Sequence, residues 1–161
     1  MTTKIRWGIL ATGWIAELFV KDLLLTGHGV TAVGSRTQAS ADRFAREFGI
    51  ATAHGSYEAL AADPNVDIIY VATPHPQHIA AALLALNAGK HILVEKAFTL
   101  NAAEATKIVD LAAAKGLVVM EAMWTRFLPH MRRLRDVIAA GTIGEVRSTI
   151  ARSCLMTPST A

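Results

Sequence analysis

Lys96 stands directly after Glu95, at the end of the apolar run Ile92-Leu93-Val94. Beside a hydride-transfer centre, a lysine ammonium can acidify a reacting hydroxyl or relay its proton, and a neighbouring carboxylate such as Glu95 can orient it or bind a ribose. Such chemistry needs a redox cofactor, and the chain offers a turn that could hold one. Ala11-Thr12-Gly13-Trp14-Ile15-Ala16 is a weakened form of the G-x-G-x-x-G/A dinucleotide turn. Gly13 is the middle glycine, which lets backbone approach a pyrophosphate, and Ala16 permits close helix–strand packing. Ala11 replaces the first glycine, which is tolerable only if that residue avoids positive φ. The plain alternative is a tight strand-to-helix turn without a ligand.

The segment Val33-Gly34-Ser35-Arg36-Thr37 lies where a carboxylate would hold the ribose hydroxyls of NAD, and it has none. Ser35 and Thr37 can donate hydrogen bonds, while Arg36 can stack on adenine and pair with a 2′-phosphate. The cofactor expected is therefore NADP rather than NAD. Val71-Ala72-Thr73-Pro74-His75-Pro76-Gln77-His78 reaches the same edge, where Thr73, Pro74, His75 and His78 could contact ribose or nicotinamide. Two histidines three apart, with no nearby acid or cysteine, make a poor metal site, and no metal is expected; for His78 capping or packing is the simpler role.

These residues need strands that end together. The pattern predicts strands over 5–10, 30–34, 50–53, 67–72, 91–94 and 117–120. Helices are expected over 14–25, 39–48, 57–62, 76–87 and 101–115, the last with Asn101 as N-cap and Glu104 three residues on. Alternating strands and helices make an α/β doubly wound parallel sheet, a Rossmann dinucleotide-binding fold with right-handed crossovers. In such a sheet the carboxyl ends of the strands border the ligand crevice. After Ala122 the pattern changes to one amphipathic helix, 127–140, then Gly141-Thr142-Ile143-Gly144 and a strand-like 145–151. Domain boundaries are expected at 1–123 for the dinucleotide domain and 124–161 for a linker helix and the start of another domain.

Composition narrows the classes. Hydrophobic residues make up 52% against 18% charged, which suits a sheet buried on both faces and excludes a disordered chain. Charges such as Lys21 and Asp22 interrupt every apolar run, so no membrane span is expected, and the N-terminus lacks a signal-peptide core. The single cysteine, Cys154, excludes an internal disulfide and fits a reducing cytoplasm. A net charge of +3 is a poor argument for nucleic acid. The one dense basic stretch, Arg126, Arg132, Arg133 and Arg135, interleaves with Phe127, Met131, Leu134 and Ile138 at helical spacing, as on the wet face of a helix.

With these motifs in place, the chain resembles the glucose–fructose oxidoreductase/inositol dehydrogenase (Gfo/Idh/MocA) family, within it the NADP-dependent dimeric dihydrodiol and D-xylose dehydrogenase branch. The likeness runs from Ile5 to about Ile150. It rests on Trp7 to Gly13, on Val71-Ala72-Thr73-Pro74 with His78, on Glu95-Lys96, and on Met120-Glu121-Ala122-Met123-Trp124-Thr125-Arg126-Phe127-Leu128-Pro129. The resemblance implies an NADP-dependent dehydrogenase acting on CH–OH groups of a sugar or trans-dihydrodiol. It makes Lys96 the catalytic or substrate-binding lysine, and lines the nicotinamide end of the pocket with Trp124 and Arg126. Gly144-Glu145-Val146-Arg147 looks like the beginning of the family's second domain, an antiparallel sheet that binds substrate and forms the dimer.

Two departures stand out. Ala97 replaces the family's usual proline, an exchange expected to loosen the loop carrying Lys96. Residues 151–161 no longer resemble the family, so most of the substrate domain is expected to be missing, as a truncation or shifted reading frame would leave it. Cofactor binding is then more secure than turnover, and the rival reading is a non-catalytic NADP-binding module or fragment. Uncovered apolar residues Ile143, Val146 and Ile150 lead to an expectation of self-association into a homo-oligomer.

Overall fold

A computed structural model describes residues 4–150 of the chain. They divide into two units, one ending at Ala122 and one beginning at Met123. Cys154 and the divergent tail lie outside the described residues.

The first unit holds six strands: β1 (Trp7–Leu10), β2 (Val30–Gly34), β3 (Thr52–His54), β4 (Ile68–Val71), β5 (His91–Val94) and β6 (Val119–Glu121). Every neighbouring pair is parallel, in the order β3-β2-β1-β4-β5-β6. The chain begins at β1, builds outward to β3, then returns to lay β4 on the other side of β1. This reversal creates the crevice in which a doubly wound sheet binds ligands. Five helices connect the strands: α1 (Trp14–Leu25), α2 (Gln38–Phe48), α3 (Tyr57–Ala62), α4 (His78–Asn87) and α5 (Ala102–Lys115).

Alternation along each strand gives the sheet two apolar faces. Ile9, Val33, Tyr70 and Ala72 pack with Ala16 and Val20 of α1 and Phe44 of α2. Leu10, Ala32, Ile69, Val71, Ile92 and Val94 pack instead with Leu60, Ala82, Leu86 and Ile108. Gly34 is required here, because a Cβ on it would stand 2.7 Å from Leu60 Cβ. Lys90 is buried beneath this layer and donates to the carbonyls of Asp63 (2.6 Å) and Val66 (2.8 Å).

Several expected boundaries shift, for local reasons. The helix expected over 76–87 is a 3-10 turn, His75–Gln77, followed by α4. Pro76 has no N–H to donate and suits only a helix start. The helix expected over 127–140 is likewise a 3-10 turn, Trp124–Phe127, then α6 (Pro129–Ala139). Pro129 holds Leu128 extended at φ −59°, ψ 141°, which separates the two. Residues 145–150 form no strand, since no neighbour offers them a ladder, and Ala151 lies outside the described residues. Arg132, Arg133 and Arg135 are exposed on α6, as expected. No described helix is long and apolar enough to cross a membrane.

Candidate functional site

Four segments leave the carboxyl ends of β1, β2, β4 and β5 on one edge, two of them flanking the β1/β4 reversal. After β1, Ala11 lies at φ +89°, its N–H donating to Gly34 O at 2.9 Å. This corrects the condition set by the sequence: Ala11 does not avoid positive φ, and a Cβ is held where glycine would be unstrained. Gly13, by contrast, has an ordinary φ of −85° and open space around its missing Cβ. Neither conformation nor packing demands glycine there, and the space lies open to a ligand's approach.

The helix start beside it is also open. Thr37, Ser56 and Asn101 each cap their helices with a side-chain oxygen, whereas Gly13 gives α1 no side-chain cap. The first amides of α1 keep their capacity for an anion. Thr12 Oγ1 and Ser35 Oγ lie 3.2 Å apart and tie the ends of β1 and β2 together. Trp14 is 71% exposed, while Ile15 packs against the core. Arg36 is exposed just beyond Ser35, close enough to the half-buried Tyr57 to oppose the rise that burial imposes on that phenol's pKa. Thr37 is taken up as the cap of α2, accepting from Ser40 N.

After β4, the Thr73 hydroxyl is buried with no hydrogen-bond partner among the described residues. An orphaned hydroxyl at this edge is one that a ribose or amide could satisfy. Pro74 and His75 are exposed. His78 is 0% exposed, so its side chain does not reach a ligand at this edge. Its ring instead bonds three backbone carbonyls: Nδ1 faces Ala97 O (2.9 Å) and Phe98 O (3.3 Å), and Nε2 faces Thr73 O (2.8 Å). The packing role is the one the geometry favours.

After β5, Lys96 is exposed on a loop held by side chains from β4, β6, the 3-10 turn and α4, with Glu95 of the loop itself. Glu95 accepts from the loop's own Lys96 N at 3.0 Å rather than from the ammonium, and from Tyr70 Oη at 2.5 Å. His75 Nε2 lies 2.7 Å from Lys96 O, and Glu121 Oε1 accepts from Phe98 N at 2.9 Å. Burial, reinforced by the Glu95 carboxylate, holds the Tyr70 phenol well above its usual pKa, so it stays a donor. Phe19 stacks on the Tyr70 ring with centroids 3.9 Å apart. The loosening expected from Ala97 meets a loop that is clamped without the proline.

Tyr70 and Tyr57 did not stand out in the sequence, and Glu121 did so only within the string Met120 to Pro129. Tyr70 reads as one more apolar position of a buried strand, and its link to Glu95 spans 25 residues. Trp124 and Arg126 belong to the second unit, both exposed, with Arg126 O accepting from Arg135 Nη2 at 2.8 Å. No cluster of three or more potential metal ligands occurs among the described residues.

Known proteins share this fold. Residues 5–123 match the model of the Gfo/Idh/MocA oxidoreductase family with NAD-binding Rossmann fold. D-xylose 1-dehydrogenase (NADP(+)) of Hypocrea jecorina is 49% identical over 91% of this chain and 41% of its own length. The mouse trans-1,2-dihydrobenzene-1,2-diol dehydrogenase is 48% identical over 89% of this chain and 44% of its own. A solved 3-ketoreductase, KijD10 of Actinomadura kijaniata in complex with TDP-benzene and NADP, superimposes with TM-score 0.81 at 33% identity, covering 90% of this chain and 46% of that one. The chain thus spans less than half the length of these relatives. It belongs to the Gfo/Idh/MocA oxidoreductase family and carries that family's Rossmann fold.

Proposed function

We propose that the chain binds NADP across the β1/β4 edge and serves a dehydrogenase acting on the CH–OH group of a sugar or trans-dihydrodiol. One observation carries the cofactor choice: β2 ends at Gly34 and leads into Ser35-Arg36, with no carboxylate to repel a 2′-phosphate and an exposed guanidinium to meet it. The named relatives support it, one being NADP-dependent and another solved with NADP.

The residues fit the cofactor. The uncapped amides of α1 would receive the pyrophosphate, with Ala11, Thr12, Trp14 and Ile15 forming the turn around Gly13. Ser35, Arg36 and Thr37 would take the phosphorylated ribose, and Thr73, Pro74 and His75 the nicotinamide side. Bound there, the nicotinamide supplies a hydride acceptor. Lys96 would stand at the substrate hydroxyl and carry off its proton, its loop fixed by Glu95 and His75. We infer a sugar or diol substrate by likeness to the two dehydrogenases named above, and a cytoplasmic homo-oligomer is the reading that the lone Cys154 and the apolar residues of the second unit support.

The test is a fluorescence titration with NADPH and NADH. Arg36→Ala should weaken NADPH roughly ten- to a hundredfold, the equivalent of one charge-assisted contact, and leave NADH unchanged. Equal losses for the two cofactors would refute the assignment of Arg36.

A further inference from the structure

We propose that His78 is a buried imidazolium whose two N–H groups fasten the Lys96 loop to the end of β4, making it a positioning residue for Lys96. Both ring nitrogens face backbone carbonyls, Thr73 O at 2.8 Å on one side and Ala97 O at 2.9 Å on the other. Carbonyl oxygens only accept, and a neutral imidazole donates from one nitrogen alone. Either neutral tautomer therefore sets a nitrogen lone pair against an oxygen lone pair at hydrogen-bond distance. Turning the ring over does not help. Carbon atoms would then stand 2.8–2.9 Å from the same oxygens, inside the ~3.3 Å at which C–H groups meet carbonyls. Only the doubly protonated ring satisfies all its contacts.

A buried cation is costly unless its surroundings compensate it. Here three carbonyls converge on the ring, with Phe98 O at 3.3 Å as the third. The exposed His75 meets its ring edge-on at 5.3 Å, and the loop it holds carries the ionisable Glu95 and Lys96. Glu121 of β6 joins them through Phe98 N. Two of these are carboxylates, and both grip the amides of the loop whose carbonyls His78 holds. The loop is thus pinned through its N–H groups by acids and through its C=O groups by histidines, with the Lys96 side chain projecting from a fixed base. The charge state stands by itself; the consequence for Lys96 rests on the function proposed above.

The experiment is long-range ¹H–¹⁵N NMR of the uniformly labelled chain at neutral pH, without nucleotide. Both ring nitrogens of His78 should show the protonated signature. An unprotonated acceptor nitrogen on His78 would overturn the charge assignment. In His78→Gln, hydrogen exchange at the Lys96 and Phe98 amides should quicken roughly tenfold or more, with Ile69 and Ile92 unchanged. Unchanged exchange at Lys96 and Phe98 would overturn the positioning role. If His78→Gln does not fold, His78→Asn is read by the same exchange measurement, with the same outcomes, while the wild-type spectrum decides the charge. Neither measurement uses a cofactor, so failure here is separable from failure of the NADP reading.

Discussion

The loop after β1 and the loop after β5 end on the same sheet edge but are built in opposite ways. The first is backbone-made: Ala11 holds a left-handed φ, Gly13 leaves open space, and α1 begins without a side-chain cap. The second is held by side chains, with Tyr70, His75, His78, Glu95 and Glu121 meeting the backbone or carboxylate of residues 95–98. The first surface keeps its amides free and the second has its own polar backbone tied down, as the pyrophosphate and the lysine proposed above would need.

The contrast breaks most readily at Gly34, whose carbonyl anchors Ala11. Gly34→Ala would press a Cβ to 2.7 Å from Leu60 Cβ and 3.2 Å from Ser56 O. Overpacking of this kind should cost about 2–3 kcal/mol in urea unfolding. Gly13→Ala, by contrast, should leave stability almost unchanged and impair NADPH binding, because nothing in the protein occupies its space.

At the clamped loop, Tyr70→Phe removes a donor to the Glu95 carboxylate and should cost about 1–2 kcal/mol. Its pH dependence gives a second check. The folded Tyr70 pKa is raised above the unfolded value, so its contribution is full below about pH 10 and declines as pH rises further. The phenylalanine variant should lose this alkaline slope.

Ala11→Gly should instead stabilise the chain, by about 0.5–1 kcal/mol, the relief of left-handed strain less the added entropy of glycine when unfolded. A loss of melting temperature would contradict that strain.

The smallest effect belongs to the opposite end of the sheet. Arg6 holds the Asp67 carboxyl down at about 2 through its hydrogen bonds at 2.6 and 3.0 Å. Because the folded value is depressed, the stabilisation is full above about pH 4 and is lost as pH falls through about 2. Both side chains are more than a third exposed, so solvent screens the pair. Arg6→Ala should raise the acid midpoint slightly, and NADPH affinity at neutral pH should not move.

The same contrast explains what the sequence made legible. Strand and helix periodicity located α1, β2, α3 and β5 to the residue, and the backbone-made turn announced itself through Gly13 and Ala16, a few residues apart. Asn101 and Glu104 also met as expected, at 3.0 Å from Glu104 N to Asn101 Oδ1. The φ of Ala11 was not legible, because residue type alone argues against it. Nor was the clamp of the Lys96 loop, whose contacts join residues about twenty positions apart and depend on the register of β4, β5 and β6. His78 shows the difference most plainly: the sequence favoured capping or packing for it, but which carbonyls it meets is set by the packing alone.

The proposed NADP site lies along one edge of the sheet. Backbone amide NMR of the labelled chain, titrated with NADP⁺, tests it directly. Saturable shifts should fall on residues 11–15, 35–37, 73–75 and 95–98, with Arg6, Asp67 and His91 at the opposite edge unmoved. No saturable shifts, or shifts centred on that opposite edge, would contradict the account.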